Sequence, residues 1–245
     1  MKGELELAKI LDKASDVAQI SGMLKRMADN FDKRCWKDGA YRSPDYTGET
    51  DDRGNALAVV SGLASEDKYK ALTECLTKEY HASPYMEKYV LEALFQMNAA
   101  NQGLDRIRKR YKPMLDFPGL TTLPENWMPE GTKPKPGEPM VNSCWGTYNH
   151  GWSGGPLTIL SQKVCGIEPT SPGFKTFRIS PQLGYLKEAS CTIESVSGKI
   201  TISIHKKGKQ LEISTLIPEG CTAEVVFPNG KTKTLEQGWH QVKGN

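Results

Sequence analysis

Ala189-Ser-Cys-Thr-Ile-Glu-Ser-Val-Ser-Gly-Lys-Ile-Thr-Ile-Ser-Ile-His205 alternates apolar and polar residues on both sides of Ser197-Gly198. A period of two puts every second side chain on one face of a strand, and a Ser-Gly step between two such runs reads as a hairpin turn. The same grammar extends outward. Phe174 to Ile179, Gln210 to Ile217, Thr222 to Phe227 and Lys231 to Leu235 read as strands, with turns at Lys207-Gly208 and Asn229-Gly230. Strands linked by short turns pair antiparallel, and a small β-sandwich is the expected form.

Upstream of Gly166 the period changes. Leu5, Ala8, Leu11, Ala14, Val17, Ile20, Leu24, Met27 and Phe31 recur at threes and fours with charges between them. This predicts one helix over 4–32, with Ser21-Gly22 as the place for a bend or split. Trp36 to Pro44 reads as a loop whose Trp36 and Tyr41 either line a pocket or make a capping contact. Asp51-Asp52 precedes the small-residue run Ala56 to Ala64. Two acids suit a helix start, and a ligand or metal is the alternative. Glu66 to Glu79 is a further amphipathic helix. Ser83-Pro84 opens another over Tyr85 to Met97, and Leu104 to Lys112 continues the pattern until Pro113. Helical hairpins followed by strands make an α+β chain, with domains expected at 1–166 and 167–245.

Composition narrows the function. Across 245 residues, 32 Lys and Arg stand against 29 Asp and Glu, a net charge of +3. So small an excess, interspersed along the chain, does not point to nucleic acid. A mean hydropathy of −0.52 suits a soluble chain, and no apolar run approaches the roughly 18 residues of a membrane span. The charged, amphipathic start lacks the continuous apolar core of a secretion signal. A cytoplasmic location is expected, or a periplasmic one had a signal been removed. Cys35, Cys75, Cys144, Cys165, Cys191 and Cys221 are widely spaced, which argues against zinc and for buried thiols in a reducing compartment.

Between helices and strands lies Pro118 to Ser161. It holds Glu125, His150 and the rings of Trp127, Trp145 and Trp152 among glycines. Aromatic faces that stack on C–H surfaces, with an acid and a few polar groups, are what a sugar site needs. Carboxylates that would pair with Glu125 across a glycosidic bond are Asp51, Asp52 and Glu87; Glu87 also reads as a helix-end acid. His150 reads either as a site residue or as a hydrogen-bonded structural histidine. His81, His205 and His240 are scattered, so no metal is expected. Gly151 to Gly155 lacks the Lys-Ser/Thr of a nucleotide loop, so no cofactor is expected either. Gly151-Trp-Ser153-Gly-Gly155 has the letters of a nucleophile elbow, with Glu194 and His205 following in order. That elbow needs a preceding strand and a parallel sheet, and neither is predicted.

Two segments carry a family resemblance. Thr121-Thr-Leu-Pro-Glu-Asn-Trp127 is similar to the Thr-Thr-x-Trp-Glu-x-Trp segment of glycoside hydrolase family 78 α-L-rhamnosidases. Asn149-His-Gly-Trp-Ser-Gly-Gly-Pro156 is similar to that family's Asn-His segment. Asp52 to Ala64 and Ser83 to Leu94 look like inner helices of its barrel, and Phe174 to Pro181, Ile217-Pro218 and Val225 to Gly230 like its closing β-domain. Pro124 stands where the family usually has Trp. The resemblance implies the C-terminal part of such an enzyme: helical hairpins of a partial (α/α)6 barrel without its upstream half, then a β-sandwich. It implies an inverting acid/base mechanism on terminal rhamnosyl linkages, with Glu125 as general base. His150, Trp152 and Asn149 would contact the sugar, and Trp127 would form a pocket wall. The partner expected is a carbohydrate. Apolar helix faces left open by a partial barrel imply a homo-oligomer or a second chain. The alternative is a catalytically incomplete module that binds carbohydrate or serves structure.

Overall fold

The computed structural model describes residues 1–117, 120–128 and 146–245. Cys144, Trp145 and most of the Pro/Gly/Lys loop lie outside the described residues. The chain divides into two compact units, Met1–Ala82 and Ser83–Asn245.

The first unit is mostly helical. Helices α1 (Lys2–Ile10) and α2 (Ala14–Cys35) replace the single helix expected over 4–32. The break falls not at Ser21-Gly22, which lies inside α2, but at Asp12, whose φ is +53°. Lys13 N–H closes back on the Ala8 carbonyl at 2.9 Å, a Schellman ending. The apolar period runs through this break, which is why the sequence hides it. Residues Trp36–Lys37 (β1) and Ala40–Tyr41 (β2) form a short hairpin rather than a loop. Its turn, Asp38-Gly39, has φ of +52° and +82°, the conformation for which Asp-Gly is suited. Tyr41 is buried, stacked 4.6 Å from Phe31 and edge-on to Trp36 at 4.9 Å. The capping contact is therefore the observed role of Trp36 and Tyr41. Buried Asn55 takes Tyr41 N–H at 2.7 Å and ties the hairpin to α3 (Asp52–Val60). Ala56, Ala58 and Val59 of α3 pack toward Leu72, Cys75 and Leu76 of α4 (Tyr69–Lys78).

The second unit joins helices to sheets. Ser83 caps α5 (Pro84–Gln96), accepting from Met86 N–H at 3.4 Å. Asn98, with φ +58°, turns the chain into α6 (Ala100–Leu115). Pro113 lies inside α6 instead of ending it. A proline two residues from the end forfeits one helical bond while the last residues keep theirs, as Asp116 N–H to the Lys112 carbonyl at 2.9 Å shows. Leu91 and Phe95 of α5 meet Leu104 of α6 and Ile159 of α7 (Gly155–Ile159). Leu186 and Ala189 pack against this cluster from the sheet side.

Two four-stranded sheets follow. One has the order β10–β7–β6–β5, from Gly238–Gly244, Gln210–Ile217, Gly198–Lys207 and Glu188–Ser195. The other has the order β3–β4–β8–β9, from Ile167–Pro169, Thr176–Ile179, Thr222–Val226 and Thr232–Leu235. Ile200, Ile202, Ile204, Ile213, Phe177, Ile179, Ala223 and Val225 form one buried cluster between them. The alternation of 189–205 thus decides the fold as expected, with Ile200, Ile202 and Ile204 all turned inward. The expectation of purely antiparallel pairing fails at one place: β4 runs parallel to β8, Phe177 opposite Ala223. The chain is α+β. Among the described residues, no helix is long and apolar enough to cross a membrane.

Candidate active site

Glu125 and His150 are brought together by two short segments that bond to each other along their backbones. Glu125 N–H donates to the Thr147 carbonyl at 2.8 Å, and His150 N–H to the Leu123 carbonyl at 2.9 Å. The Thr122 hydroxyl donates to the Tyr148 carbonyl. The buried Ser153 hydroxyl donates to the Pro124 carbonyl at 2.7 Å. Pro124 has no N–H to give, and its buried carbonyl is satisfied by Ser153. These bonds are non-local, between residues more than twenty positions apart.

The side chains follow from this frame. Glu125 Oε2 accepts from Thr147 N–H at 3.1 Å and lies 3.9 Å from His150 Nδ1. The Thr147 hydroxyl is 2.6 Å from His150 Nδ1 and 3.4 Å from Glu125 Oε2. Both side chains are about a third open to solvent, Glu125 at 30% and His150 at 27%. Trp152 packs its ring 3.8 Å from the His150 ring and 5.2 Å from Tyr85, and Tyr85 meets Tyr89 at 6.0 Å. Trp152 and Tyr85 remain exposed. An acid, an imidazole and an open aromatic surface therefore adjoin. Trp127 follows Glu125 on the same segment but turns to α6, edge-on to Tyr111 at 5.0 Å and under the Arg110 guanidinium at 4.0 Å. Asn149 is exposed next to His150.

The acids weighed as partners of Glu125 are engaged elsewhere. Glu87 is fully buried and makes a two-pronged pair with Arg106, at 2.6 and 2.9 Å. Asp51 caps α3 through Arg53 N–H at 2.8 Å and pairs with the Arg53 side chain. That side-chain hydrogen bond is the main cause holding its carboxyl below the usual range. Asp52 is buried and accepts from His81 N–H at 3.1 Å and Ala82 N–H at 3.4 Å. No nucleophile elbow forms. Ser153 is spent on Pro124, Glu194 pairs with Lys199 and His205 with Glu188. Cys75 and Cys165 are buried thiols pushed up to about 12 by desolvation.

Sequence reasoning missed Thr147, Tyr85 and Tyr89. Tyr85 and Tyr89 are four apart on α5, a spacing that stacks two rings on one helix face. That signal is present in the letters, but the helical period accounts for it without a site. Thr147 carries no such pattern; its role depends on pairing across the turn.

Residues 166–242 match the family model for the bacterial α-L-rhamnosidase C-terminal domain. An α-L-rhamnosidase of Formosa agariphila is 24% identical over 241 residues, covering 94% of this chain and 25% of that protein. The solved α-L-rhamnosidase from Dictyoglumus thermophilum superposes with a TM-score of 0.76 at 18% identity, over 98% of this chain and 30% of that one. The enzyme from Aspergillus terreus gives 0.77 at 17% identity, over 98% and 28%. This chain is similar to the C-terminal part of family 78 α-L-rhamnosidases, and it spans about a quarter of the length of these relatives.

Proposed function

We propose that this chain forms the base-bearing side of an α-L-rhamnosidase site, in which Glu125 activates water for inverting hydrolysis of a terminal rhamnosyl linkage. The observation that carries the reading is the convergence of Glu125, His150 and exposed Trp152 at one turn from segments far apart in sequence. Inversion needs a base that takes a proton from water as the water attacks the anomeric carbon, and an acid that protonates the leaving oxygen from the opposite face. Glu125 fits the role of base, because its carboxylate is held on one oxygen by Thr147 and is open to solvent. Trp152 and Tyr85 offer rings for the apolar sugar face, and His150 and Asn149 offer polar contacts to hydroxyls. Trp127 acts as a wall behind the base. In this reading residues 1–166 form the barrel-derived part and 167–245 the closing sandwich. The leaving-group acid is not assigned to any of Asp51, Asp52 or Glu87, whose carboxylates are committed elsewhere.

Hydrolysis of an aryl α-L-rhamnoside by wild type and Glu125→Gln tests this. Removing a general base lowers turnover by about 10²–10⁴-fold. Equal rates in the two proteins would overturn the assignment.

A further inference from the structure

Thr147 bonds to both titratable groups of the site, and the proton count of those bonds is restrictive. Its N–H and its hydroxyl both face Glu125 Oε2, at 3.1 and 3.4 Å. The same hydroxyl is 2.6 Å from His150 Nδ1. An ionised carboxylate only accepts, and a threonine hydroxyl has one proton to give. Both contacts are hydrogen bonds only if that proton goes to Glu125 and the imidazole donates from Nδ1 to the hydroxyl oxygen. A neutral imidazole carrying its proton on Nδ1 has a lone pair on Nε2.

We infer that Thr147 is a positioning residue that fixes His150 in the Nδ1–H tautomer, so that Nε2 accepts a hydrogen bond from a sugar hydroxyl. The same residue confines the bonds made to Glu125 to Oε2. Among the described residues Oε1 takes no hydrogen bond, so it is the oxygen left for water. The two functional groups are thereby sorted: one carboxylate oxygen is anchored and one is free, and the histidine is an acceptor rather than a donor. The role rests on the proposed reading of this turn as a sugar site with Glu125 as base. Among the described residues, titratable groups packed around the turn include Tyr85, Lys88 and Tyr89 on α5, Arg110 and Tyr111 on α6 behind Trp127, and Tyr148.

The tautomer is read directly by nitrogen NMR of ¹⁵N-histidine-labelled full chain, at about pH 8, above the ordinary imidazole range. Wild type and Thr147→Ser are expected to show His150 protonated on Nδ1. Thr147→Val, which lacks the hydroxyl, and Glu125→Leu, which frees it to donate to His150, are expected to shift to Nε2–H. Wild type protonated on Nε2, or Nδ1–H persisting in Thr147→Val, would overturn the inference. On an aryl α-L-rhamnoside, Thr147→Val is expected to raise KM about tenfold, the worth of roughly one hydrogen bond, and Thr147→Ser to restore it. The two readings fail separately. Full turnover in Glu125→Gln removes the base assignment and leaves the tautomer result standing. A large loss in Glu125→Gln with an unchanged tautomer in Thr147→Val removes the role of Thr147 alone.

Discussion

Replacing one partner of the Glu87–Arg106 pair separates a structural acid from a catalytic one. The side chains are 0% and 1% exposed, and the two hydrogen bonds are 2.6 and 2.9 Å. Arg110 adds a second positive charge, with Nε 3.8 Å from Glu87 Oε2, while its guanidinium lies on Trp127. In Arg106→Met the carboxylate keeps only the more distant guanidinium. In Glu87→Leu the buried Arg106 guanidinium loses that carboxylate. Removing one partner of a buried pair costs about 3–5 kcal/mol, because the other charge stays buried. That is a large part of the roughly 5–15 kcal/mol by which a domain is stable. With a urea slope near 2 kcal/mol per M, each single variant lowers the unfolding midpoint by about 1.5–2.5 M. The double variant Glu87→Leu/Arg106→Met replaces the pair with apolar groups of similar reach and recovers more than half of the loss. Urea titration by circular dichroism and tryptophan fluorescence measures all three. A single-variant loss below about 1 kcal/mol, or a double variant as unstable as the two losses added, would refute the structural reading and return Glu87 to the acids free for chemistry.

Two further outcomes follow from the geometry. Gly146 has φ +93°, and a Cβ there would lie 2.7 Å from Glu125 Oε2 and 2.8 Å from Asn126 Nδ2. Gly146→Ala is expected to cost about 1–3 kcal/mol and to displace the carboxylate; a crystal structure with Glu125 unmoved and an unchanged melting point would contradict this. Helix α2 has no fully buried residue along its 22 positions, and Met23 and Met27 are exposed beside a groove lined by Phe31, Pro44 and Leu63. Because these two side chains are exposed, Met23→Glu/Met27→Glu is expected to change stability by no more than about 1 kcal/mol; a larger loss in urea titration would contradict the exposed placement of this face.

Periodicity reveals the regular elements where burial on one face dictates the letters. Ile200, Ile202 and Ile204 alternate because one face of β6 meets the core, and α5 shows its cap as Ser83-Pro84. Boundaries set by backbone conformation are harder to read. Asp12 adopts a positive φ in a run whose apolar spacing continues through it, and Pro113 is tolerated because the helix ends two residues later. The parallel β4–β8 pair is hidden because strand letters carry orientation only through the turns between neighbours in sequence. The Asp38-Gly39 dipeptide does signal its hairpin, but strands of two residues are too short to show alternation, so the segment passes for a loop. At the site, Glu125, His150 and Trp152 show themselves by residue type. Thr147 does not, because what makes it matter is a contact across the turn to residues 22 positions before it and three after it.

The four acids raised by the sequence are distinguished by what their oxygens already hold. A carboxylate can act on water only with a lone pair that structure has not claimed. Asp51 is engaged by Arg53 from both backbone and side chain, and Asp52 by two backbone N–H groups in a buried position. Glu87 gives both oxygens to Arg106 in the protein interior. Protonating or moving any of the three would unfasten a helix start, the chain at His81–Ala82 or the α5–α6 pairing. Glu125 alone among them has its bonds gathered on one oxygen, contributed by a residue that also holds the neighbouring imidazole. Its surroundings combine partial exposure, a fixed anchor and an aromatic surface within reach. Those features make Glu125, rather than the other three, the carboxylate that suits the proposed role of general base.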